Sequence, residues 1–392
     1  MGATTMPHTV DPDFRKELLR FGAGSLIDCF NCGNCTAVCP LSEGNVAFPR
    51  KLIRYAQLGL KEKIAQSPEP WLCYSCGECS ATCPRSAKPG ETMAALRRYA
   101  IAWFDPTGLA GRMYRSTAVT LTVTLLLAGL LAFLLVALEP AQPLHGWIFG
   151  LVPYTLVHEM GMVVFALLGI GAVAGSVALV RKYRRSLDGD SPLRGLPWSA
   201  RLRVLKRLGR EIATMSRHAQ CDEEQEQEPE PWYRTPRAIH YSVMAGFLGL
   251  FTASALDFIF IFFLHWSWFP PARVLGTISG LVMLYGVGVS IYQRYQGKAT
   301  YLTSSTLSDW WLLAFLLVLA ITGFWLEVAV SFGWQQPAND VVLLIHTVMA
   351  MELVLLVMVT KLAHALYRPL ALGLLFARQE QNLLQTSRGN DD

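Results

Sequence analysis

Six long apolar runs follow a polar N-terminal region of about 115 residues. They cover approximately 117–138, 151–180, 239–264, 272–293, 309–331 and 341–366. Each is long enough for a helix to cross the hydrocarbon core of a bilayer, which takes about 20 residues. The runs lack the alternation of barrel strands, and only helices and closed barrels satisfy their backbone in lipid. The pattern predicts six transmembrane helices, preceded by short helices such as 49–66 and 91–104.

Basic residues predict the orientation of these helices. Segment 181–210 holds ten Lys and Arg, whereas the loops 139–150, 265–272 and 332–340 hold none and carry tryptophans instead. Lys and Arg collect on the cytoplasmic side, and Trp collects at the interfaces. The N-terminal segment has no apolar core of signal-peptide length. We therefore expect a multi-pass protein of the cytoplasmic membrane, with both termini and the polar N-terminal domain in the cytoplasm.

The loop 181–238 combines two kinds of sequence. Its residues 200–216 place basic side chains opposite an apolar face made of Leu202, Leu205, Leu208, Ile212 and Met215. That face predicts a helix lying on the inner leaflet, although simple enrichment of positive charge on the inner side explains the basic residues equally. The stretch CDEEQEQEPEP then predicts an acidic, flexible linker. Its Cys221 is remote from every other cysteine, and we assign it no role.

Composition agrees with a membrane protein. Hydrophobic residues make up 52% of the chain and charged residues 16%, the mean hydropathy is +0.33, and the net charge is +5. Soluble domains usually carry nearer a quarter of charged residues. We expect lipid as a partner and no nucleic acid.

A cysteine repeat marks the N-terminal domain. CFNCGNCTAVCP at 29–40 returns as CYSCGECSATCP at 73–84. Each copy has the spacing C-x2-C-x2-C-x3-C-P of bacterial two-cluster ferredoxins, in which the fourth cysteine ligates the other cluster. The spacing predicts two [4Fe–4S] clusters, the first held by Cys29, Cys32, Cys35 and Cys83 and the second by Cys73, Cys76, Cys79 and Cys39. Structural zinc is the alternative, but it favours paired C-x2-C knuckles without this third and fourth cysteine.

Four histidines fall inside the predicted spans, where a polar imidazole is costly and usually functional. His346 and His364 lie 18 residues apart on the last span, which is five turns and about 27 Å of continuous helix. By depth, His158 pairs with His346 near the outer surface, and His240 with His364 near the inner surface. Two level imidazoles on different helices suit a six-coordinate b haem. The pairs predict two haems. One haem is the alternative, if the histidines of one pair are buried core residues that make hydrogen bonds within the protein and bind no haem. Gly161, Gly169, Gly246 and Gly249 are expected to leave room for the porphyrins.

Charged residues near these histidines suggest further roles. Glu159 and Glu352 are candidates for accepting protons from a quinol in the outer half of the membrane. Lys361, Arg234 and Arg237 are candidates for holding haem propionates on the inner side. Snorkelling towards the headgroups explains the three basic residues equally well.

Two family resemblances are carried by these motifs. The insert PRKLIRYAQLGLKEKIAQ between the cysteine motifs is similar to that of the small iron–sulfur C subunit of heterodisulfide reductases. LIHTVMAMELVLLVMVTKLAHALYRP resembles the last helix of the respiratory nitrate reductase gamma subunit, including its H-x17-H spacing. That family binds two b haems and oxidises quinol, with the partner histidines ten residues apart on one helix. Here His240 fits the first of them and Leu250 occupies the second, so His158 is expected to substitute.

The fusion of the two parts resembles the C subunit of the quinone-interacting membrane-bound oxidoreductase complex. The resemblance implies an all-α fold, with a small helical two-cluster ferredoxin-type domain and a six-helix transmembrane cytochrome b bundle. It implies menaquinone or another quinone as substrate, cytoplasmic flavin and iron–sulfur proteins similar to the A subunit of heterodisulfide reductase, and adenylylsulfate reductase beyond them. The alternatives are an electron-input subunit of another heterodisulfide-reductase-like complex and a membrane anchor without redox function.

These observations predict five segments. They are a cytoplasmic cluster domain at 1–115, a first transmembrane helix pair at 116–180, a basic amphipathic helix with an acidic linker at 181–238, a four-helix haem b domain at 239–368 and a cytoplasmic tail at 369–392.

Overall fold

A computed structural model describes residues 9–42, 47–138, 148–186, 195–218, 231–266, 270–297 and 305–389. The described residues are mostly helical and contain no strand. The predicted all-α class is confirmed. Cys221 and most of the acidic linker lie outside the described residues.

The N-terminal domain, here called the cysteine domain, consists of short helices around the two cysteine motifs. Its helices are α1 Phe14–Arg20, α2 Asn34–Ala37, α3 Arg50–Gln57, α4 Lys61–Ala65, α5 Glu69–Leu72, α6 Glu78–Ala81, α7 Pro89–Phe104 and α8 Leu109–Arg115. Helix α7 is the longest and runs through the core, where its Met93, Leu96 and Tyr99 are buried. The insert predicted as helical forms α3 and α4.

Longer helices make up the rest of the chain. They are α9 Thr117–Ala137, α10 Tyr154–Ser186, α11 Trp198–Thr214, α12 Pro236–Asp257, α13 Pro270–Gln296, α14 Leu307–Phe332, α15 Ala338–Leu355 and α16 His364–Gly389. Six of them, α9, α10, α12, α13, α14 and α15, are long and apolar enough to cross a membrane. The predicted number of spans is confirmed, as expected of an integral membrane protein.

The starts of these membrane helices follow from local sequence. Ser116 caps α9 by accepting a hydrogen bond from the Val119 amide at 3.3 Å. Thr235 caps α12, and Pro236 fills the first helical position, where no amide donor is needed. Thr306 and Asp309 form a reciprocal capping box at α14.

The last predicted span is not one helix. Helix α15 ends at Leu355, two short 3₁₀ turns follow at Val357–Val359 and Lys361–Ala363, and α16 begins at His364. Thr360 between the turns is extended, with φ −112° and ψ −176°, and its hydroxyl donates to the Leu356 carbonyl at 2.8 Å. The expectation that His346 and His364 are joined by five regular turns is therefore wrong. The stretch VMVT at 357–360 is apolar enough for hydropathy to include it in a span. Its β-branched residues favour a helix less than unbranched ones, and the helical hydrogen bonds are interrupted here.

Glycines bring α12 and α13 into close contact. A Cβ at Gly246 would lie 2.6 Å from the Met283 backbone nitrogen, and one at Gly249 would lie 2.1 Å from the Ser279 hydroxyl. Small residues allow membrane helices to approach closely in this way. The expectation that Gly246 and Gly249 make room for a porphyrin is therefore wrong, whereas a Cβ at Gly161 or Gly169 would meet no atom of another element within 4 Å among the described residues.

Gly246→Ala is expected to destabilise the bundle, because the new methyl group would force α12 away from α13. Overpacking of this kind costs roughly 1–3 kcal/mol. Gly169→Ala is the matched control, since it adds the same methyl group to open space. Thermal unfolding of both purified variants in detergent would test this. Equal midpoints for the two would contradict the packing described.

The cysteine domain packs against the C-terminal end of α10 and against α16. Trp71 lies between Phe104 and Tyr367, with ring centroids 6.4 and 5.2 Å away. Lys182 at the end of α10 donates to the Trp103 carbonyl at 2.9 Å. Helix α16 continues beyond residue 368, and its Leu372 and Phe376 belong to the core of the cysteine domain. The two parts of the chain therefore share one buried interface.

Helix α11 forms where an amphipathic helix was predicted, and it packs along α16. Its Arg203 bonds Glu380 at 2.9 Å, and Ala200 and Val204 are buried. Only part of the predicted apolar face is exposed. Leu202, Leu205 and Ile212 are exposed, and so is the neighbouring Trp198, whereas Met215 is buried. Contact of this exposed face with lipid remains a prediction.

Candidate functional site

The two cysteine motifs have the same local backbone conformation. Asn31 and Ser75 have φ of 57° and 60°, and Gly33 and Gly77 have φ of 99° and 91°. Each motif then starts a one-turn helix, α2 or α6. The positive φ at the glycine is readily adopted only by residues without a Cβ. Both motifs therefore curl into the same tight loop around their first cysteine.

Backbone amides in these loops donate to cysteine sulfurs. The Asn31 amide lies 3.4 Å from Cys29 Sγ, and the Ser75 amide lies 3.3 Å from Cys73 Sγ. Such bonds stabilise thiolates that ligate iron and adjust the reduction potential of the cluster they hold. The loops thus provide donors suited to sulfur ligands, as the spacing predicts.

The structure groups the sulfurs across the two motifs. Burial raises the pKa of the Cys35 thiol to about 11, and the neighbouring sulfurs of Cys29, Cys32 and Cys83 contribute. The neighbours of Cys35 therefore include Cys83 from the other motif. These four cysteines are the predicted ligands of the first cluster, and that assignment remains a prediction.

The second set is grouped in the same manner. Burial raises the pKa of the Cys39 thiol to about 12, and the sulfurs of Cys73, Cys76 and Cys35 add to the effect. Burial, with Cys73, Cys76, Cys39 and Cys35 nearby, also raises the pKa of Cys79 well above its usual value. Cys39 therefore has sulfurs of the second motif among its neighbours, and its assignment to the second cluster remains a prediction. Among the described residues, no three metal-ligating side chains are grouped as closely as a single metal ion requires.

Side chains outside the motifs hold the two loops together. Asn34 Nδ2 donates to the Thr82 carbonyl at 2.8 Å, which joins the first motif to the second. Gln57 at the end of α3 donates to the Cys29 carbonyl at 2.8 Å. The insert between the motifs therefore supports the first loop, a role that the sequence alone did not reveal.

Two arginines bond the backbone at the start of the second motif, one from α16 and one from α7. Arg368 on α16 donates to the Leu72 carbonyl at 3.2 Å, and its guanidinium lies 3.6 Å from the centre of the Tyr74 ring. Arg97 on α7 donates to the Cys73 carbonyl and, at 3.0 Å, to the Pro70 carbonyl. Sequence reasoning missed both residues, although Arg368 is a basic residue one turn beyond a predicted haem ligand.

The inner histidine pair is brought together. The ring centroids of His240 and His364 lie 6.1 Å apart, at an interplanar angle of 61°. Metal–imidazole bonds of about 2 Å on both sides of one ion require centroids roughly 6 Å apart. His240 is exposed although it lies on a membrane helix, so its ring is accessible from the side. The pair therefore fits a b haem.

Hydrogen bonds orient His364 and His346. His364 Nδ1 lies 2.5 Å from the Lys361 carbonyl, which can only accept, so Nε2 is left for a metal. His346 Nδ1 lies 2.9 Å from the Thr322 hydroxyl, which in turn donates to the Val318 carbonyl at 2.7 Å. Both histidines thus have the hydrogen-bonded Nδ1 that is typical of ligating imidazoles.

The outer histidines have different surroundings. The His158 ring stacks on Phe258 at 5.8 Å and lies 4.3 Å from the Tyr154 ring. His346 instead lines a cavity of about 330 Å³, whose described lining residues include Leu250 and exclude His158. The pairing of His158 with His346 remains a prediction.

The cavity beside His346, here called the outer cavity, is mostly apolar. Phe165, Phe247 and Phe251 contribute aromatic walls, and the ion pair of Arg273 with Glu327 at 2.8 Å lies at its lining. Neither predicted proton acceptor is among its lining residues. Glu159 is exposed, and Glu352 is 1% exposed with one carboxyl oxygen lacking a hydrogen bond among the described residues.

The predicted propionate ligands lie in three different places. Lys361 is paired with the Asp309 carboxylate. Arg234 is exposed, with its guanidinium 5.8 Å from the Tyr233 ring. Arg237 lies in the first turn of α12, one turn before His240. Their roles towards a haem remain predictions.

Comparison with known proteins bears on the cysteine domain. Residues 25–87 match the family model of the 4Fe-4S dicluster domain. A protein of Archaeoglobus profundus that is named as similar to the C subunit of heterodisulfide reductase is 41% identical over 100 residues, which are 24% of this chain and 52% of that protein. The iron–sulfur C subunit of the CoB–CoM heterodisulfide reductase of Methanopyrus kandleri is 34% identical over 91 residues, 23% of this chain and 45% of its own.

A third relative matches this chain over a shorter segment. The C subunit of the H(2):CoB-CoM heterodisulfide,ferredoxin reductase of Methanothermobacter thermautotrophicus is 36% identical over 63 residues, 16% of this chain and 34% of that protein. The chain thus spans about half or less of the length of these relatives, and no solved structure matches it. The iron–sulfur part of the chain is therefore a 4Fe-4S dicluster domain similar to the C subunit of heterodisulfide reductases, joined to six membrane-type helices.

Proposed function

We propose that this chain transfers electrons between a membrane quinone and cytoplasmic iron–sulfur and flavin subunits. The cysteine domain supplies two [4Fe–4S] clusters as the cytoplasmic terminal, and the helix bundle supplies the quinone terminal. The inner histidine pair lies between them. This function uses both parts of the chain, whereas a membrane anchor needs neither the cluster cysteines nor facing histidines.

One observation carries the proposal: α16 holds His364 and, four residues later, Arg368, whose guanidinium bonds the backbone of the second cysteine motif. Four helical residues correspond to a rise of about 6 Å. The second cluster and the inner histidine pair are therefore attached to the same helix, close together. Such a short, fixed separation favours electron transfer between them.

The charges between the two sites suit bound redox groups. When bound at the inner pair, a haem would supply a one-electron carrier at that depth. Arg97 and Arg368 lie between the second motif and the histidines, and burial lowers the pKa of the Arg97 guanidinium. Buried cations need nearby negative charge. Cluster thiolates and haem propionates would supply it, so these arginines are better candidates for propionate ligands than exposed Arg234.

The outer half of the bundle supports quinone chemistry. The outer cavity is concave and apolar, with His346, Arg273 and Glu327 as its few polar groups. Binding sites for small apolar molecules have this composition. Arg273 would orient the quinone head group, and the Glu327 carboxylate would exchange protons with it. The Lys and Arg residues of segment 181–210 and the tryptophans of the opposite loops support an orientation that places this cavity on the outer side of the membrane.

The partners and the direction of electron flow are part of the proposal. The matched relatives are named as heterodisulfide reductase subunits, which supports assembly with subunits of that kind. The fusion with a nitrate-reductase-gamma-like bundle favours the quinone-interacting membrane-bound oxidoreductase complex, with adenylylsulfate reductase as its soluble partner. Co-purification would distinguish this assembly from another heterodisulfide-reductase-like complex.

Reoxidation of the clusters by a quinone tests the proposal. The full chain in nanodiscs would be reduced with dithionite and mixed with a short-chain menaquinone analogue. We expect the cluster absorbance to recover in the wild type and to recover at least tenfold more slowly in His364→Ala with its clusters intact. His265→Ala, which changes an exposed outer histidine, is the control. Equal rates in all three proteins would show that quinone reaches the clusters directly, and no reoxidation in any would favour an anchor.

A further inference from the structure

A second cavity lies between the cysteine domain and the inner ends of the membrane helices. Its volume is about 250 Å³. The cysteine domain contributes Arg20, Gly22 and Arg98, and the membrane part contributes Ser116, Thr306 and Lys361. It is separate from both cysteine motifs and from the outer cavity. This cavity is here called the inner cavity.

Positive charge dominates the inner cavity. Four cations line it: Arg20, Arg98, Arg115 and Lys361. Two carboxylates offset them, because Asp309 pairs with Lys361, and Glu17 lies 3.9 Å from Arg115. Asp309 is also engaged by the Thr306 amide and hydroxyl at 2.8 and 2.9 Å. A net positive charge therefore remains.

Arg98 is the buried source of that charge. It is 6% exposed, and its Nε donates to the Phe21 carbonyl at 2.7 Å. No carboxylate pairs with it among the described residues. The hydroxyl of neighbouring Tyr114, also at the cavity wall, is buried and has no hydrogen-bond partner among the described residues. A buried guanidinium without a paired carboxylate and a buried hydroxyl without a hydrogen bond call for an anionic ligand that accepts hydrogen bonds.

Two helix starts add to this preference. Helices α9 and α14 both begin at the cavity, after Ser116 and Thr306. The positive end of each helix dipole favours a phosphate. A neutral quinone head would leave the net positive charge uncompensated, so charge favours a phosphate over a quinone.

The position of the cavity indicates which phosphate. Thr120, Trp311 and Leu312 extend its lining along α9 and α14 into the membrane-spanning part. A phosphate at the helix starts, with an apolar path leading into the membrane, matches an anionic phospholipid rather than a free ion. Basic pockets between helices at the cytoplasmic surface bind such headgroups.

We propose that the inner cavity binds the phosphate headgroup of one anionic phospholipid, which joins the cysteine domain to the bundle. Arg98 and Tyr114 hold the phosphate from the cysteine-domain side, and the starts of α9 and α14 hold it from the membrane side. The acyl chains follow α9 and α14. This site does not depend on the proposed redox function.

Native mass spectrometry of the full chain, delipidated in detergent, tests the site. Phosphatidylglycerol and phosphatidylcholine are the two probes. We expect one phosphatidylglycerol to bind at least tenfold more tightly than phosphatidylcholine, and Arg98→Gln to remove that preference, because a charged hydrogen bond to phosphate is lost. Arg20→Gln changes an exposed position and is expected to weaken phosphatidylglycerol binding about threefold. This variant keeps the site testable if Arg98→Gln does not fold.

Arg112→Gln is the matched control. Arg112 lies on α8 near Arg115 but is exposed and does not line the inner cavity. Three results would overturn the proposal: no preference for phosphatidylglycerol in the wild type, equal weakening by Arg20→Gln and Arg112→Gln, or displacement of the lipid by the menaquinone analogue.

Discussion

Replacing Cys83 by alanine is expected to remove the first cluster, even though Cys83 belongs to the second motif of the sequence. Its sulfur is grouped with Cys35, Cys29 and Cys32. Cys83→Ala should therefore resemble Cys29→Ala in its EPR spectrum after reduction. Total iron should fall from about eight to about four atoms per chain in each variant, since each cluster contains four.

The opposite assignment makes a different prediction. If each motif held its own cluster, Cys83→Ala would lose the same EPR signal as Cys79→Ala. Comparing the three alanine variants therefore decides between crossed and separate ligation without assigning either signal beforehand. Cys221→Ala, outside both motifs, is the control for removal of a cysteine and should keep all the iron.

Alanine at His240 or at His364 is expected to remove the same b haem. The two ring centroids lie 6.1 Å apart, and loss of either ring leaves a haem with one axial ligand. A pyridine haemochrome assay on the purified variants would measure the loss as one haem per chain. His265→Ala should leave the haem content unchanged. Retention of haem in both inner variants would contradict the assignment.

The outer pair is tested by the same assay. If His158 and His346 hold a second haem, alanine at either position reduces the content from two haems to one. If His158→Ala keeps the wild-type content while His346→Ala does not, then His346 has a partner other than His158. One haem in the wild type, lost only with the inner pair, would leave the outer cavity to the quinone alone.

The sequence predicted what depends on regular patterns. Six apolar runs correctly predicted six spans, because length and apolarity decide whether a helix can cross a bilayer. The repeat at 29–40 and 73–84 correctly predicted a 4Fe-4S dicluster domain, because cluster ligation fixes cysteine spacing. The depth argument also paired His240 with His364, whose ring centroids the structure places 6.1 Å apart.

What the sequence missed depends on contacts between distant segments. Thr360 breaks the last span through its backbone conformation, which hydropathy does not register. Gly246 faces Met283 rather than a porphyrin, and only the packing of α12 against α13 shows which neighbour a glycine serves. Arg368 bonds a cysteine motif about three hundred residues earlier in the chain. Local sequence patterns do not predict contacts between residues so far apart in the sequence.

Helix α16 has a consequence for the kinetics of electron transfer. One rigid element carries His364, bonds the second motif through Arg368, places Phe376 in the cysteine-domain core and bonds α11 through Glu380. These contacts fix the described part of the cysteine domain to α16, so that it would not swing between a donor and an acceptor. In the proposed function, tunnelling within the chain would occur over a constant distance. Its rate would then follow the driving force between the redox groups and would be independent of solvent viscosity, unlike that of carriers with a tethered, mobile domain.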